Sequence, residues 1–130
     1  MSTEPDGTLV KWQSYRAKRV RLIPRKDTAG RYLEVRGRPD WILEVVSLSS
    51  IHKDTVVLRE IYHRVGIPEY WLIDALPDTI DFQILVHRRK DYKVVQPQDG
   101  WYFSPVFGRS FRLERSRDPM GEWWYDLRVK

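Results

Sequence analysis

Trp41-Ile42-Leu43-Glu44-Val45-Val46-Ser47 constrains this chain more than any other stretch. Large apolar and β-branched side chains on both sides of a pleat suit a strand covered on both faces, the setting of a parallel strand beneath helices. Glu44 breaks the pattern. An ionised carboxylate among such neighbours costs roughly several kcal/mol unless a cation or donors meet it, so Glu44 is neutral, paired or holding a metal. A second acid, Asp40, follows Pro39 at the strand's entrance, and Ser47-Leu48-Ser49-Ser50 leaves its exit.

The segments that follow set the topology. Leu58, Ile61, Tyr62 and Val65 recur at i, i+3, i+4 and i+7, one stripe of an amphipathic helix over residues 55–65. Ser49, Ser50 or Asp54 would cap it, and Gly66 closes it. Residues 70–75 then form a second strand apolar on both sides. Strand, helix, strand in this order predicts a parallel pair. Upstream, residues 8–15 read as a strand, and residues 18–24 and 31–36 alternate around a turn at 27–30 as a β-hairpin. Downstream, residues 79–87 and 91–95 form a hairpin turned by Arg88-Arg89-Lys90, followed by short strands near 101–103, 110–113 and 123–129. The expected architecture is α/β (α+β): a mixed β-sheet with a βαβ core, an N-terminal β-hairpin and a C-terminal antiparallel β extension, as one domain over residues 1–130.

The chain has no cysteine, which excludes disulfides and thiolate metal sites. No signal peptide and no apolar run near ~20 residues is present, so a cytoplasmic location is expected. The net charge of +5 is unevenly spread: between Lys11 and Arg38 stand ten basic residues against two acids. Lys18, Arg19, Arg21, Arg36 and Arg38 make that hairpin a candidate phosphate-facing surface; a pair of solvated faces is the alternative. His52, His63 and His87 lack zinc-ligand spacing and read as surface residues. There is no glycine-rich phosphate loop and no nucleophile elbow. What remains is acids near basic groups at strand ends, the chemistry of phosphodiester cleavage assisted by magnesium or manganese.

Pro39-Asp40-Trp41-Ile42-Leu43-Glu44-Val45-Val46, then Asp54, Tyr62 and Gly66-Ile67-Pro68-Glu69-Tyr70-Trp71-Leu72-Ile73-Asp74, resembles the Uma restriction endonuclease family, a branch of the PD-(D/E)XK nuclease superfamily. The resemblance implies a restriction endonuclease-like fold acting on DNA, with metal-binding acids on neighbouring strands. Asp6, in Pro5-Asp6, matches the family's upstream Pro-Asp, and Glu44 matches the acid of the (D/E)XK element. Asp40 and Glu44, four residues apart on one strand, are separated by roughly 13 Å. Asp40 is therefore an alternative ligand or a structural cap. The lysine of (D/E)XK is Val46 here, and the position where relatives carry a lysine in the following helix is Leu58. Lys53 and Arg59 are the nearest cations to orient water or stabilise the phosphate. A domain lacking the helix that normally precedes the Pro-Asp strand is also expected, if the chain is complete at Met1. A non-catalytic module for nucleic-acid binding or oligomerisation is the competing expectation, and strand edges and aromatics after Thr79 point to a homodimer.

Overall fold

The computed structural model describes residues 7–11, 13, 16–17, 20–24, 33–46, 53–75 and 79–130, with the backbone alone for 20–24, 33–36 and 53–55. Five strands form the main sheet in the order β1 (Gly7–Leu9), β4 (Trp41–Val45), β5 (Glu69–Asp74), β6 (Asp81–His87) and β7 (Tyr92–Val94). The helix α1 (Lys53–Val65) joins β4 to β5. Those two strands pair in parallel with Ile42 beside Tyr70 and Glu44 beside Leu72, and the other pairs of this sheet are antiparallel. The hairpin β2 (Val20–Pro24) with β3 (Leu33–Gly37) is a separate two-stranded unit. A third sheet runs β10 (Trp123–Val129), β9 (Arg109–Arg117), β8 (Tyr102–Ser104). This is the mixed, mostly β architecture with a βαβ core that a restriction endonuclease-like fold requires.

Alternation along β4 and β5 gives the main sheet two unlike faces. Ile42, Tyr70 and Leu85 face α1, where Tyr62 and Ile67 complete a cluster that Leu58, Ile61 and Leu72 flank. Trp71, Phe82 and Ile84 face the other way and pack with Phe111 of β9, flanked by Trp41 and Leu43. Trp71 meets Trp41, Phe82 and Phe111 edge-on with centroids 4.8–5.3 Å apart, geometry that an aromatic quadrupole favours.

The helix ends as its sequence dictates. Gly66 takes φ +88°; its N–H bonds the His63 carbonyl at 3.0 Å and the Ile67 N–H bonds the Tyr62 carbonyl at 3.1 Å. That pairing is a Schellman closure, and Ile67 and Tyr62 supply its apolar contact. The stripe is shorter than its periodicity predicts, because Val65 is exposed. Asp54 is the helix's second residue rather than its cap, and Ser49 and Ser50 lie outside the described residues.

Two strand expectations change. The first strand was expected over residues 8–15 but stops at Leu9, because Asp40 turns the chain there: its N–H bonds the Leu9 carbonyl at 2.9 Å and its carboxylate accepts the Lys11 N–H at 2.7 Å. The strand expected over residues 110–113 is longer, nine residues in β9, while β10 takes the expected span, Trp123–Val129. Cross-strand pairs hold these polar strands together: Arg115 and Arg117 lie over the Trp123 ring at 4.0 and 3.9 Å, and Arg128 reaches Glu114 at 3.1 Å. Alternating hydropathy does not register such contacts.

Candidate functional site

Glu44 stands on the α1 face of β4, near the exit end of the parallel pair, and is half-buried. Ligands of open α/β sheets collect at the carboxyl ends of parallel strands. Tyr62, fully buried on α1, reaches back toward the helix N-terminus and donates its hydroxyl to Glu44 Oε1 at 2.5 Å. Its ring is fixed edge-on against Tyr70, centroids 5.4 Å apart. The carboxyl is thereby held in one orientation by a rigid donor. With about four lone-pair positions on its oxygens, a carboxylate so held can still ligate a cation.

The neighbouring strand carries the register that matters. Gly7 pairs with Leu43, so the residues next to Asp6 and Glu44 in sequence are direct partners. Asp6 itself lies outside the described residues. On the opposite side of β4, Asp74 stands two residues beyond Leu72, the partner of Glu44, and alternation puts it on the α1 face. Composition offered no reason to connect Asp74 with Glu44, since it reads as the end of a strand; only the parallel register brings them to one end of one face. Among the described residues no three acids or histidines converge as a metal cluster. Glu44 and Asp74, on one face at one end of the sheet, carry hard carboxylate oxygens, the kind magnesium and manganese select.

The other expected site residues separate. Asp40 sits at the far end of β4 from Glu44 and serves as the turn anchor described above. Lys53 opens α1, its side chain outside the described residues. Arg59 is directed elsewhere: its guanidinium makes a two-pronged pair with Asp91 at 3.2 Å and donates to the Tyr92 carbonyl at 3.0 Å. Asp91 adjoins β7, three strands from β4 and so about 14 Å away across the sheet. Lys18 and Arg19 lie outside the described residues. Arg21 and Arg36 are direct backbone partners in the hairpin, their side chains outside the description. Arg38 is exposed and lies against Gly66 at the C-terminal end of α1, away from Glu44.

A groove of about 760 Å³ flanks α1 on the β6–β7 side, with Arg59, Arg64 and Lys90 among its cations and Tyr70 and Leu85 on its floor. The histidines at 63 and 87 are not simple surface residues: they are half-buried and stack with centroids 4.2 Å apart. His63 Nε2 meets the Arg88 carbonyl and His87 Nε2 the His63 carbonyl, at 2.6 and 3.0 Å. Their separation of 24 residues concealed that contact. Below them, burial pushes the Tyr92 phenol above its usual range, and its hydroxyl donates to the Ile67 carbonyl at 2.7 Å.

The Tyr92 N–H at 2.7 Å, and then Arg59, hold the Asp91 carboxyl below its ordinary value of 3.8. A depressed folded-state pKa stabilises the protein above the unfolded value and ceases to do so as pH falls through the folded value. The melting-temperature advantage of the native chain over Asp91→Asn is therefore expected to be constant from neutral pH down toward the unfolded-state value of 3.8 and to be lost as pH falls through the lower folded-state value. Thermal melts across that range measure it; an advantage that persists undiminished at the acid end contradicts this role.

Among the described residues no helix is long and apolar enough to cross a membrane. No curated protein matches the chain. Residues 2–115, which include β1 through β8 and most of β9, match the model of a family described as "Uma2: Putative restriction endonuclease". With Glu44 on the second strand of a βαβ-bearing mixed sheet and most of its length matched, the chain belongs to the Uma2 restriction endonuclease family.

Proposed function

We propose that this protein is a metal-dependent endonuclease of the PD-(D/E)XK type that hydrolyses DNA phosphodiester bonds, with Asp6 and Glu44 holding magnesium or manganese. The observation that carries the reading is the pairing of Gly7 with Leu43: one further step of that antiparallel register would set Asp6 directly across from Glu44, on the same face. Tyr62 orients the Glu44 carboxyl through its hydroxyl. The bound ion would supply Lewis acidity, lowering the pKa of water and offsetting charge on the phosphate. Lys53, in the first turn of α1, would bring an ammonium to that end of the sheet. Lys18, Arg19, Arg21, Arg36 and Arg38 would contact the DNA backbone, giving affinity without sequence choice. The acting form is a cytoplasmic homodimer.

One observation favours the second reading, a catalytically inactive module that binds nucleic acid or oligomerises. Both positions where relatives carry the lysine are apolar and packed here: Val46 is buried, and Leu58 lies against the first core cluster. Titration calorimetry with manganese chloride, together with plasmid nicking in magnesium, separates the two. The native chain is expected to bind manganese and to nick supercoiled plasmid. Glu44→Gln and Asp6→Asn should each abolish binding and slow nicking by at least about 100-fold. Manganese binding that survives Glu44→Gln overturns the ligand assignment; plasmid bound but never nicked by the native chain supports the module.

A further inference from the structure

We propose that β10 is the surface through which two copies of this chain pair, edge to edge and antiparallel, about a two-fold axis at Leu127. This rests on the homodimer part of the preceding reading and not on its chemistry. All seven residues of β10 are exposed, and among the described residues the strand pairs only with β9. It also lies beyond residue 115, where the family match ends. A strand edge left open is a template for another strand, and most folds blunt or cover it.

The phase of the hydrogen-bond ladder shows which groups face outward. Lys130 N–H bonds the Ser110 carbonyl at 2.9 Å and Ser110 N–H returns the bond at 3.3 Å; at the turn, Asp118 N–H bonds the Glu122 carbonyl at 2.8 Å. Both pairs use even-numbered residues of the second arm, and antiparallel ladder bonds alternate. Trp124, Asp126 and Arg128 therefore direct their backbone groups toward β9. Trp123, Tyr125, Leu127 and Val129 direct theirs to the open edge. The side chains of these same four are 42–55% exposed. They lie on the face of Phe111 and Leu113, partners of Val129 and Leu127, so the second core cluster continues into an uncovered apolar strip.

Within Trp123–Val129, charge selects one register. With the axis at Leu127, Tyr125 faces Val129 of the second copy through outward backbone groups, and Leu127 faces itself. Asp126 faces Arg128 of the second copy, twice by symmetry, in the narrow positions where Cα atoms approach to about 4.5 Å. An axis at Asp126 opposes two carboxylates, one at Arg128 opposes two guanidinium groups, and one at Tyr125 sets Asp126 against Trp124. Registers of odd sum would face outward backbone groups with inward ones. Tyr125-Asp126-Leu127-Arg128-Val129 is thus complementary to its own reverse.

Sedimentation equilibrium of the full chain from about 1 to 100 μM tests this. The native chain is expected at twice its 15.6 kDa. Asp126→Arg and Arg128→Asp should each raise the dissociation constant at least about tenfold, and the double reversal should return it to within about threefold of native. Within one chain Asp126 faces Glu114 and Arg128 faces Arg112, while Arg128 also pairs with Glu114 at 3.1 Å and with Asp126 at 3.3 Å; thermal melts of each reversal accompany the sedimentation, so that a weakened dimer is read only from a folded chain. Leu127→Pro deletes an outward N–H that β9 does not use and should leave a monomer; circular dichroism confirms its fold, and the charge reversals decide the matter if it does not fold. A native monomer at the highest concentration overturns both the homodimer and this interface. A native dimer indifferent to the single reversals overturns this interface alone.

Discussion

Glu69→Ala is expected to lower the unfolding free energy by about 3–5 kcal/mol, because three donors lose one acceptor group in a site closed to water. Glu69 opens β5 and is fully buried. Its Oε2 accepts the Trp71 indole N–H at 2.7 Å and the Ser104 hydroxyl at 2.5 Å, and its Oε1 accepts the Val106 N–H at 3.2 Å. The Ser104 hydroxyl in turn accepts the Phe107 N–H at 3.2 Å. This one carboxyl fastens the main sheet to the turn after β8. Each buried donor left unmade costs about 1–3 kcal/mol, and partial collapse or water recovers some of it. Ser104→Ala removes a single link and should cost about 1–2 kcal/mol. Urea unfolding of the native chain and both variants measures the difference; a Glu69→Ala chain within about 1 kcal/mol of native would mean that aromatic packing alone joins the two sheets.

That network explains why the Gly66-to-Asp74 string is so specific a resemblance. Gly66 is needed at φ +88°, Ile67 closes the helix onto the core, Glu69 fastens the second sheet, and Tyr70 and Trp71 enter opposite clusters. The βαβ core was legible because β4, α1 and β5 each show the hydrophobic period of their own element, and Gly66 marks the junction. Burial of the acids was not legible in the same way. Apolar flanks point to Glu44 as the submerged carboxyl, yet the structure leaves it half-buried and submerges Glu69 beneath residues 35 to 37 positions away. The placing of Asp74 and Glu44 on one face and the stacking of His63 on His87 arise from register and helix placement, which no local spacing records. Asp6 entered only through resemblance; the structure adds the pairing of its neighbour Gly7.

On the proposed reading, Leu58→Lys is expected to raise the rate of plasmid nicking at least about tenfold while lowering stability by about 1–2 kcal/mol. Leu58 lies one helical turn before Tyr62, on the same face, and is only partly buried against the first core cluster. Side chains on a helix lean toward its N-terminus, so a lysine here would lie along the apolar surface and present its ammonium toward the end of the sheet that Glu44 occupies. Val46→Lys is the contrasting case. Val46 shares the α1 face with Glu44 but is buried, its N–H committed to the Ile73 carbonyl at 2.8 Å. An ammonium forced there pays desolvation that a position at the margin avoids, so Val46→Lys should destabilise the chain more and help nicking less. Nicking rates in magnesium and thermal melts of both variants, each with and without Glu44→Gln, complete the comparison. A gain in Leu58→Lys that disappears with Glu44→Gln ties the new cation to the carboxyl; a gain that persists without Glu44 places the chemistry elsewhere.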